Sequence, residues 1–165
     1  MSVNRTGRGL ASAGRPRSRP DIAALEAALA AEQAASYGYG IVGSHLTGVK
    51  FAAAAADCVK HERARDSLTG MIAARGGQPH PAAAAYRMPI KVSTAAQARS
   101  LAILLERQVA AAYLSLVAVS DPALRRFAAD RMRAAAVRAA RWGGRPQAFP
   151  GLPASSLRPA GRSGR

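Results

Sequence analysis

The apolar positions of the chain fall into windows of helical spacing that are separated by prolines. The ten prolines stand at positions 16, 20, 79, 81, 89, 122, 146, 150, 153 and 159. Because proline breaks helix interiors, the long proline-free stretches are the helix candidates. The stripe of the first stretch repeats every three to four residues and consists of Ile22, Leu25, Leu29, Glu32, Tyr39, Val42 and Leu46.

Capping residues and helix breakers set the limits of four predicted helices. Asp21 is the expected N-cap of the first, and Gly76 follows the second. Thr94 or the serine before it caps the third, and Pro122 fits the first turn of the fourth. The predicted helices cover residues 21–46, 49–75, 94–119 and 122–143.

The connections between these helices favour one topology. Helices one and two, and helices three and four, have tight joints, so each pair is expected to form an antiparallel hairpin. Residues 76–93 join the pairs, contain three prolines and show no helical spacing. One long crossover between two helical hairpins is the ferritin-like connectivity. The fold class predicted is therefore all-α, a ferritin-like four-helix bundle with a crossover between helices two and three.

Composition supports one helical domain with two basic tails. Alanine makes up about a quarter of the 165 residues, and aromatic residues only 5%. Alanine is the best helix former and allows close helix contact. Residues 1–20 and 151–165 are rich in Pro, Gly, Ser and Arg, a composition typical of disorder. The domain prediction is a tail over 1–20, the bundle over 21–150 and a second tail over 151–165.

The positive charge is concentrated in the tails. Lysine and arginine exceed aspartate and glutamate by 15, and the eight arginines of the two tails supply more than half of this excess. A basic surface favours anionic partners. Arg15, Arg17 and Arg19 are the candidate anion-binding residues, and their Gly-Arg-Pro setting partly resembles a minor-groove AT-hook. Nucleic acid or another polyanion is thus the expected partner, and a homo-oligomer is a second expectation.

The expected di-metal ligands of a ferritin-like bundle are incomplete. Such sites use one glutamate on each of two helices and a Glu-x-x-His pair on each of the others. Arg65 stands where a histidine would follow Glu62, and no Glu-x-x-His occurs anywhere. Arginine cannot coordinate a cation but can pair with carboxylates. The candidate site is a buried charge network of Glu32, Glu62, Arg65, Glu106 and Arg138.

Two other interpretations of these residues stay open, namely solvent-facing charges and a residual metal site. For Glu32, within the apolar stripe, Arg65 and Arg138 are the expected partners. The Gly38-x-Gly40-x-x-Gly43 string lacks a preceding strand, so it does not indicate dinucleotide binding. Its glycines are more consistent with close helix contact. Cys58 and His61 share a helical face, but no third group indicates nucleophilic catalysis. No catalytic residue, metal or cofactor is assigned.

Neither a secretory signal nor a membrane span is expected from the sequence. No apolar run follows the basic N-terminus, and no stretch of 18 residues is apolar and free of charge. The lone Cys58 excludes an internal disulfide. The cytoplasm is the expected location.

Four sequence blocks resemble a ferritin-like domain of unknown function from high-GC bacteria. They read ALEAALAAEQAASYGYGIVG, HERARDSL, AAYRMPIKV and AVRAARWGGRPQAFPGLP, and they span about residues 21–153. The resemblance implies a ferritin-like bundle without an established activity, in which the positions of Glu32, Arg65-Asp66 and Arg138-x-x-Arg141-Trp142 are typically kept. Members often carry an acidic residue where this chain has Ala134, which weakens a metal interpretation further.

These observations favour a non-catalytic scaffold or binding protein without a di-metal site. A degenerate ferritin-like oxidoreductase or iron-handling protein is the alternative. An enzyme is the less favoured class, and the biological process is not indicated by the sequence.

Overall fold

The computed structural model describes residues 19–147 and Leu152. Within this part of the chain all regular structure is helical and no strand occurs. The prediction of an all-α helical bundle is confirmed. The helices are α1 (Arg19–Ser44), α2 (Gly48–Ala73), α3 (Ala95–Ala112), α4 (Leu114–Val117) and α5 (Pro122–Arg141).

The helix limits differ from the prediction at the start of α1 and at the end of α3. The helix begins at Arg19, so Asp21 lies in its first turn and is not its cap. Pro20 permits this, since proline is tolerated in a first helical turn. The predicted third helix ends at Ala112, and Tyr113 separates it from the single turn of α4. Three parts of the domain prediction, residues 1–18, 148–151 and 153–165, lie outside the described residues.

The predicted cap of α3 forms as the sequence indicates, and an aspartate caps α5. The Thr94 side chain accepts a hydrogen bond from the backbone N–H of Gln97. Asp121 accepts from the N–H groups of Ala123 and Leu124, directly before Pro122. These bonds satisfy helix N–H groups that have no partner within the helix. α2 ends at Ala73, and Gly76, three residues further on, has a φ of +77°, which favours glycine.

The helices α1 and α3 form the centre of the bundle. α1 packs against α2 and α3, and α3 packs against α5. A Cβ atom at Gly38 would lie 2.6 Å from a methyl carbon of Leu105, so this glycine allows α1 and α3 to approach closely. Buried apolar side chains form two clusters, one around Leu25 and Leu68 and the other around Val42 and Trp142.

Residues 74–94 connect α2 to α3 without forming a helix and are fastened to α1. The Gln33 amide donates to the backbone carbonyl of His80 at 2.9 Å, and Tyr86 donates to Gln33 at 3.3 Å. Glu26 accepts a hydrogen bond from the backbone N–H of His80 and lies 2.9 Å from its ring Nδ1. The long predicted segment is therefore present and runs along α1.

One helical stretch in the described part of the chain, Ala95–Val117, is long and apolar enough to cross a membrane by length and composition. A core helix passes the same test. This stretch packs against α1 and α5 and carries the fully buried Glu106.

Candidate functional site

Two glutamates from different hairpins face each other at the centre of the bundle. Glu32 of α1 and Glu106 of α3 expose 1% and 0% of their surface. A buried carboxylate is costly unless charge and hydrogen bonds compensate it. The surrounding side chains supply both.

His61 of α2 lies between the two carboxylates. Its Nδ1 is 2.6 Å from Glu32 Oε2, and its Nε2 is 3.2 Å from Glu106 Oε1. A carboxylate can only accept, so both ring nitrogens donate and the ring is an imidazolium. Burial opposes this charge, but the hydrogen bonds and negative charge of Glu106 and Glu32 outweigh it and raise the pKa of His61.

Arg138 of α5 supplies the second positive charge. Its Nε donates to Glu106 Oε1 at 2.8 Å, and its side chain is almost wholly buried. Burial works against ionisation of Glu106, but the bonds from His61 and Arg138 prevail, so the pKa of Glu106 falls below its ordinary value. Burial likewise opposes the charge of Arg138, and Glu106 more than offsets this and raises the Arg138 pKa.

Two tyrosines complete the site in a reciprocal arrangement. Tyr39 of α1 donates to Glu106 Oε1 at 2.6 Å, and Tyr113 donates to Glu32 Oε1 at 2.8 Å. Each tyrosine stands seven residues after the glutamate on its own segment, which is about two helical turns. Burial, then the facing glutamate, raises the pKa of both tyrosines, so they remain hydrogen-bond donors.

The crossed bonds fix the relative direction of the helices. Glu32 pairs with Tyr113, and Tyr39 pairs with Glu106, so positions rise along α1 as they fall along α3. α1 and α3 are therefore antiparallel.

We refer to this set as the central network, which consists of Glu32, Tyr39, His61, Glu106, Tyr113 and Arg138. Its two carboxylates balance one imidazolium and one guanidinium, so its net charge is zero. Each hairpin contributes one acid and one base, Glu32 with His61 from α1 and α2, and Glu106 with Arg138 from α3 and α5. No member is more than 8% exposed.

The sequence profile of a domain of unknown function, DUF4439, matches residues 24–154 of this chain. The chain belongs to the DUF4439 family. A solved structure, that of a conserved hypothetical protein, rv2844, from Mycobacterium tuberculosis, is similar with 37% sequence identity and a TM-score of 0.74. The similarity covers 77% of this chain and 97% of that one. No curated protein matches.

The expected membership in a family of unknown function is thus confirmed. The central network of this DUF4439 domain does not fit a di-metal centre. Arg138 donates a hydrogen bond to Glu106 Oε1, and His61 directs one N–H group at each carboxylate. Glu106 Oε1 and Glu32 Oε2 therefore already accept hydrogen bonds from cationic side chains. Among the described residues, no group of three or more His, Cys, Asp or Glu side chains has the geometry to hold a metal ion.

The structure brings together three of the five predicted network residues in this DUF4439 domain. Glu32, Glu106 and Arg138 are members, whereas Glu62 and Arg65 are not. Arg65 pairs with Asp66 at 2.9 Å and Arg138 with Glu106, so neither predicted partner bonds Glu32, which bonds His61 and Tyr113 instead. Glu62 is half-buried and accepts a weak hydrogen bond from the Cys58 thiol at 3.9 Å.

The physical reason for this correction is the rotation of α2. Its buried face runs through Asp57, His61, Ala64, Leu68 and Ile72. Glu62 and Arg65 each follow a buried residue by one position, which turns them about 100° away from the core. Of the candidate anion-binding residues, Arg15 and Arg17 lie outside the described residues, and Arg19 begins α1.

The predicted charge network did not include three residues of the central network, His61, Tyr39 and Tyr113. A signal for His61 existed, because it lies three, seven and eleven residues before Ala64, Leu68 and Ile72. A sequence signal existed for the two tyrosines as well, because the spacing Glu-x6-Tyr occurs twice, once in α1 and once from α3 to the residue that follows it.

A further buried carboxylate, outside the central network, joins α2 to the end of α5. Asp57 is 1% exposed and accepts from Lys60 Nζ at 2.7 Å and from the Trp142 ring N–H at 3.1 Å. Lys60 supplies the positive charge that faces Asp57, and the Lys60 side chain is 42% exposed, so this site is open to solvent. It anchors the last turn of α5.

Proposed function

We propose that this DUF4439 domain is a ferritin-like four-helix bundle that acts as a non-catalytic binding protein or scaffold. In this proposal His61 and Arg138 hold the inward carboxylates where related bundles would hold a metal pair. The observation that carries it is the charge-neutral central network, in which the buried cations are engaged with the two glutamates.

The ferritin-like arrangement is supported by the direction of the helices. An up-down-up-down bundle would make the first and third helices parallel, whereas α1 and α3 are antiparallel. Antiparallel central helices, together with the long segment over residues 74–94, fit two hairpins joined by a crossover.

Metal content and metal-dependent stability test the proposal. The full chain, produced in iron-supplemented medium, is expected to contain only substoichiometric iron and manganese by elemental analysis. Added Fe²⁺ under anaerobic conditions, or Mn²⁺, is expected to leave the melting temperature unchanged. A bound metal at a hundredfold excess over its Kd would add about 2.7 kcal/mol to the unfolding free energy.

Glu32→Gln and Glu62→Gln provide the matched pair for this experiment. The proposal is overturned if metal stabilises the parent and Glu62→Gln but not Glu32→Gln, since that pattern would restore the oxidoreductase or iron-handling alternative. What favours that alternative is the convergence of Glu32, His61 and Glu106 at one point.

The basic tails extend the proposal to polyanionic partners, in the cytoplasm. Binding to duplex DNA should be independent of sequence, and each phosphate contact should add about 0.9 to the log–log salt slope. Deletion of residues 1–18 is expected to reduce both the affinity and this slope. Unchanged values would remove the tail from the proposal.

A further inference from the structure

An open cavity lies in the groove between α3 and α5. Its volume is about 640 Å³, within the range of roughly 300–1,000 Å³ that is typical of small-molecule sites. The walls are mostly apolar side chains of these helices, with Met132, Ala136 and Val137 on α5 facing Ala110 on α3. Such a surface suits the apolar body of a ligand.

The cavity reaches the central network at Glu106. This glutamate contributes to the lining, and its Oε1 accepts from Tyr39, His61 and Arg138. Its other oxygen, Oε2, is buried and has no hydrogen-bond partner among the described residues. An ionised carboxylate oxygen accepts only, and leaving it unpaired in a dry site is costly. The site therefore calls for a hydrogen-bond donor at this point.

Three arginines give the same cavity a positive character. Arg107, Arg133 and Arg145 line it, and within residues 19–147 neither Arg107 nor Arg145 has an acidic partner. Arg133 has only a loose contact of 3.9 Å with the exposed Asp130. The negative charge of Glu106 is already matched by Arg138. Guanidinium groups bind carboxylates and phosphates in a bidentate manner, so these arginines select an anion.

We propose that this cavity binds a single-chain anionic amphiphile. The apolar chain lies against the α3 and α5 walls, and a carboxylate or phosphate headgroup pairs with the arginines. A hydroxyl on the apolar part donates to Glu106 Oε2. This inference rests on the proposed function as a binding protein and names the class of its ligand.

Calorimetric titration of the full chain with defined probes tests the ligand class. The probes are dodecanoate, dodecyl phosphate, ω-hydroxydodecanoate and dodecyltrimethylammonium, each below its micelle concentration. Both plain anions should bind with an affinity that falls as salt rises, and their ratio identifies the preferred headgroup. The cationic probe should not bind. Equal binding of the cation and the anions would overturn the role of the arginines.

The hydroxylated probe tests the role of Glu106. A hydrogen bond to a charged acceptor should make ω-hydroxydodecanoate bind about tenfold more tightly than dodecanoate. Equal affinities of these two probes would overturn the assignment of a donor to Glu106 Oε2.

Variants locate the binding site without touching the central network. Arg107→Gln combined with Arg145→Gln should weaken dodecanoate binding by at least about tenfold, as expected for the loss of charge-assisted bonds. Arg63→Gln combined with Arg99→Gln is the matched control, since both arginines are exposed and lie outside the cavity lining. Equal losses in the two double variants would overturn the site.

A cavity-filling variant gives an independent answer. Ala140 is exposed and lines the cavity, so Ala140→Trp should obstruct it while the melting temperature stays near that of the parent. Binding of dodecanoate should then be lost. Undiminished binding by folded Ala140→Trp would overturn the proposal.

Failure here is distinguishable from failure of the proposed function. Metal binding that disappears in Glu32→Gln would overturn the proposed function whatever the cavity variants do. Absence of amphiphile binding by a metal-free parent chain would overturn only the present inference.

Discussion

Two neighbouring faces of α2 carry charged residues with opposite surroundings. On one face His61 is 1% exposed and bonds two buried glutamates. On the other, Arg65 and Asp66 pair at the surface. All three residues are charged and lie within six positions of one helix. Their angular position around the helix axis therefore decides which of them is buried in the core.

The largest expected difference between the faces comes from removing an arginine. Arg138→Met leaves two buried carboxylates with a single cation, so the unfolding free energy should fall by about 3–5 kcal/mol. Arg65→Met removes a surface pair and should cost at most about 1 kcal/mol. Urea denaturation at neutral pH measures both variants. Similar losses would mean that the two faces are equivalent.

The glutamates make the same comparison with a smaller expected effect. Glu32→Gln keeps an acceptor for Tyr113 but removes the charge that His61 faces, and it should cost about 1.5–3 kcal/mol. Glu62→Gln changes a half-buried side chain outside the network and should stay within about 0.5 kcal/mol. Thermal and urea denaturation should agree on this order. A Glu32→Gln variant as stable as the parent would contradict the role of the network.

The tyrosines sharpen the comparison within the network. Among the described residues only Tyr113 donates to Glu32 Oε1, so Tyr113→Phe should leave that oxygen unpaired and cost about 1–3 kcal/mol. Tyr39 shares its acceptor with His61 and Arg138, so Tyr39→Phe should cost less. Denaturation of both variants in parallel measures the difference. The reverse order would show that Glu106 depends on Tyr39 more than the geometry indicates.

The smallest effect is expected from pH, which removes no side chain. The raised pKa of His61 gives a stabilisation that is complete below its unfolded value of about 6.5 and is lost as the pH rises through the folded value. The lowered pKa of Glu106 gives one that is present above about 4.3 and is lost as the pH falls through the folded value. Stability should therefore be greatest between these two limits.

Histidine variants assign the alkaline side of this profile. His61→Gln should flatten the decline above pH 6.5, whereas His45→Gln should keep it, because the His45 ring contacts no carboxylate among the described residues and bonds Ser44 and the carbonyl of Ile41. Urea denaturation across the pH range is the measurement. An unchanged slope in His61→Gln would assign the decline to another group.

The helices could be predicted from the sequence because their limits are local. Thr94 and Asp121 cap helices through bonds to residues two or three positions away, and such signals are visible in one dimension. The break at Tyr113 was missed because nothing local requires it. The Tyr113 side chain is buried and bonds Glu32, 81 residues away, but Tyr39 makes the reciprocal bond from within the unbroken α1, so this bond does not by itself explain the break.

The candidate site was only partly predictable because α2 does not mark its buried face. Alanines occupy both buried and exposed positions of this helix, such as Ala54 and Ala55, so apolar periodicity is weak. From the sequence, the spacing of Glu62 and Arg65 could be compared with the Glu-x-x-His metal motif. No stronger pattern on α2 identified His61 as the residue that faces the core. Glu32 could be predicted because leucines and a tyrosine surround it at helical spacing.

The pairing of one acid with one base inside each hairpin has a kinetic consequence. Each hairpin can form with its own central-network charges matched, and within the central network only the bonds Tyr39–Glu106, Tyr113–Glu32 and His61–Glu106 form when the hairpins dock. We hypothesise that docking follows the rate-limiting step, so Tyr113→Phe should accelerate unfolding and leave the refolding rate nearly unchanged. Stopped-flow refolding slowed by the full loss of stability would contradict this. In that case, the bonds that form last during folding are also the bonds that oppose transient separation of the two hairpins.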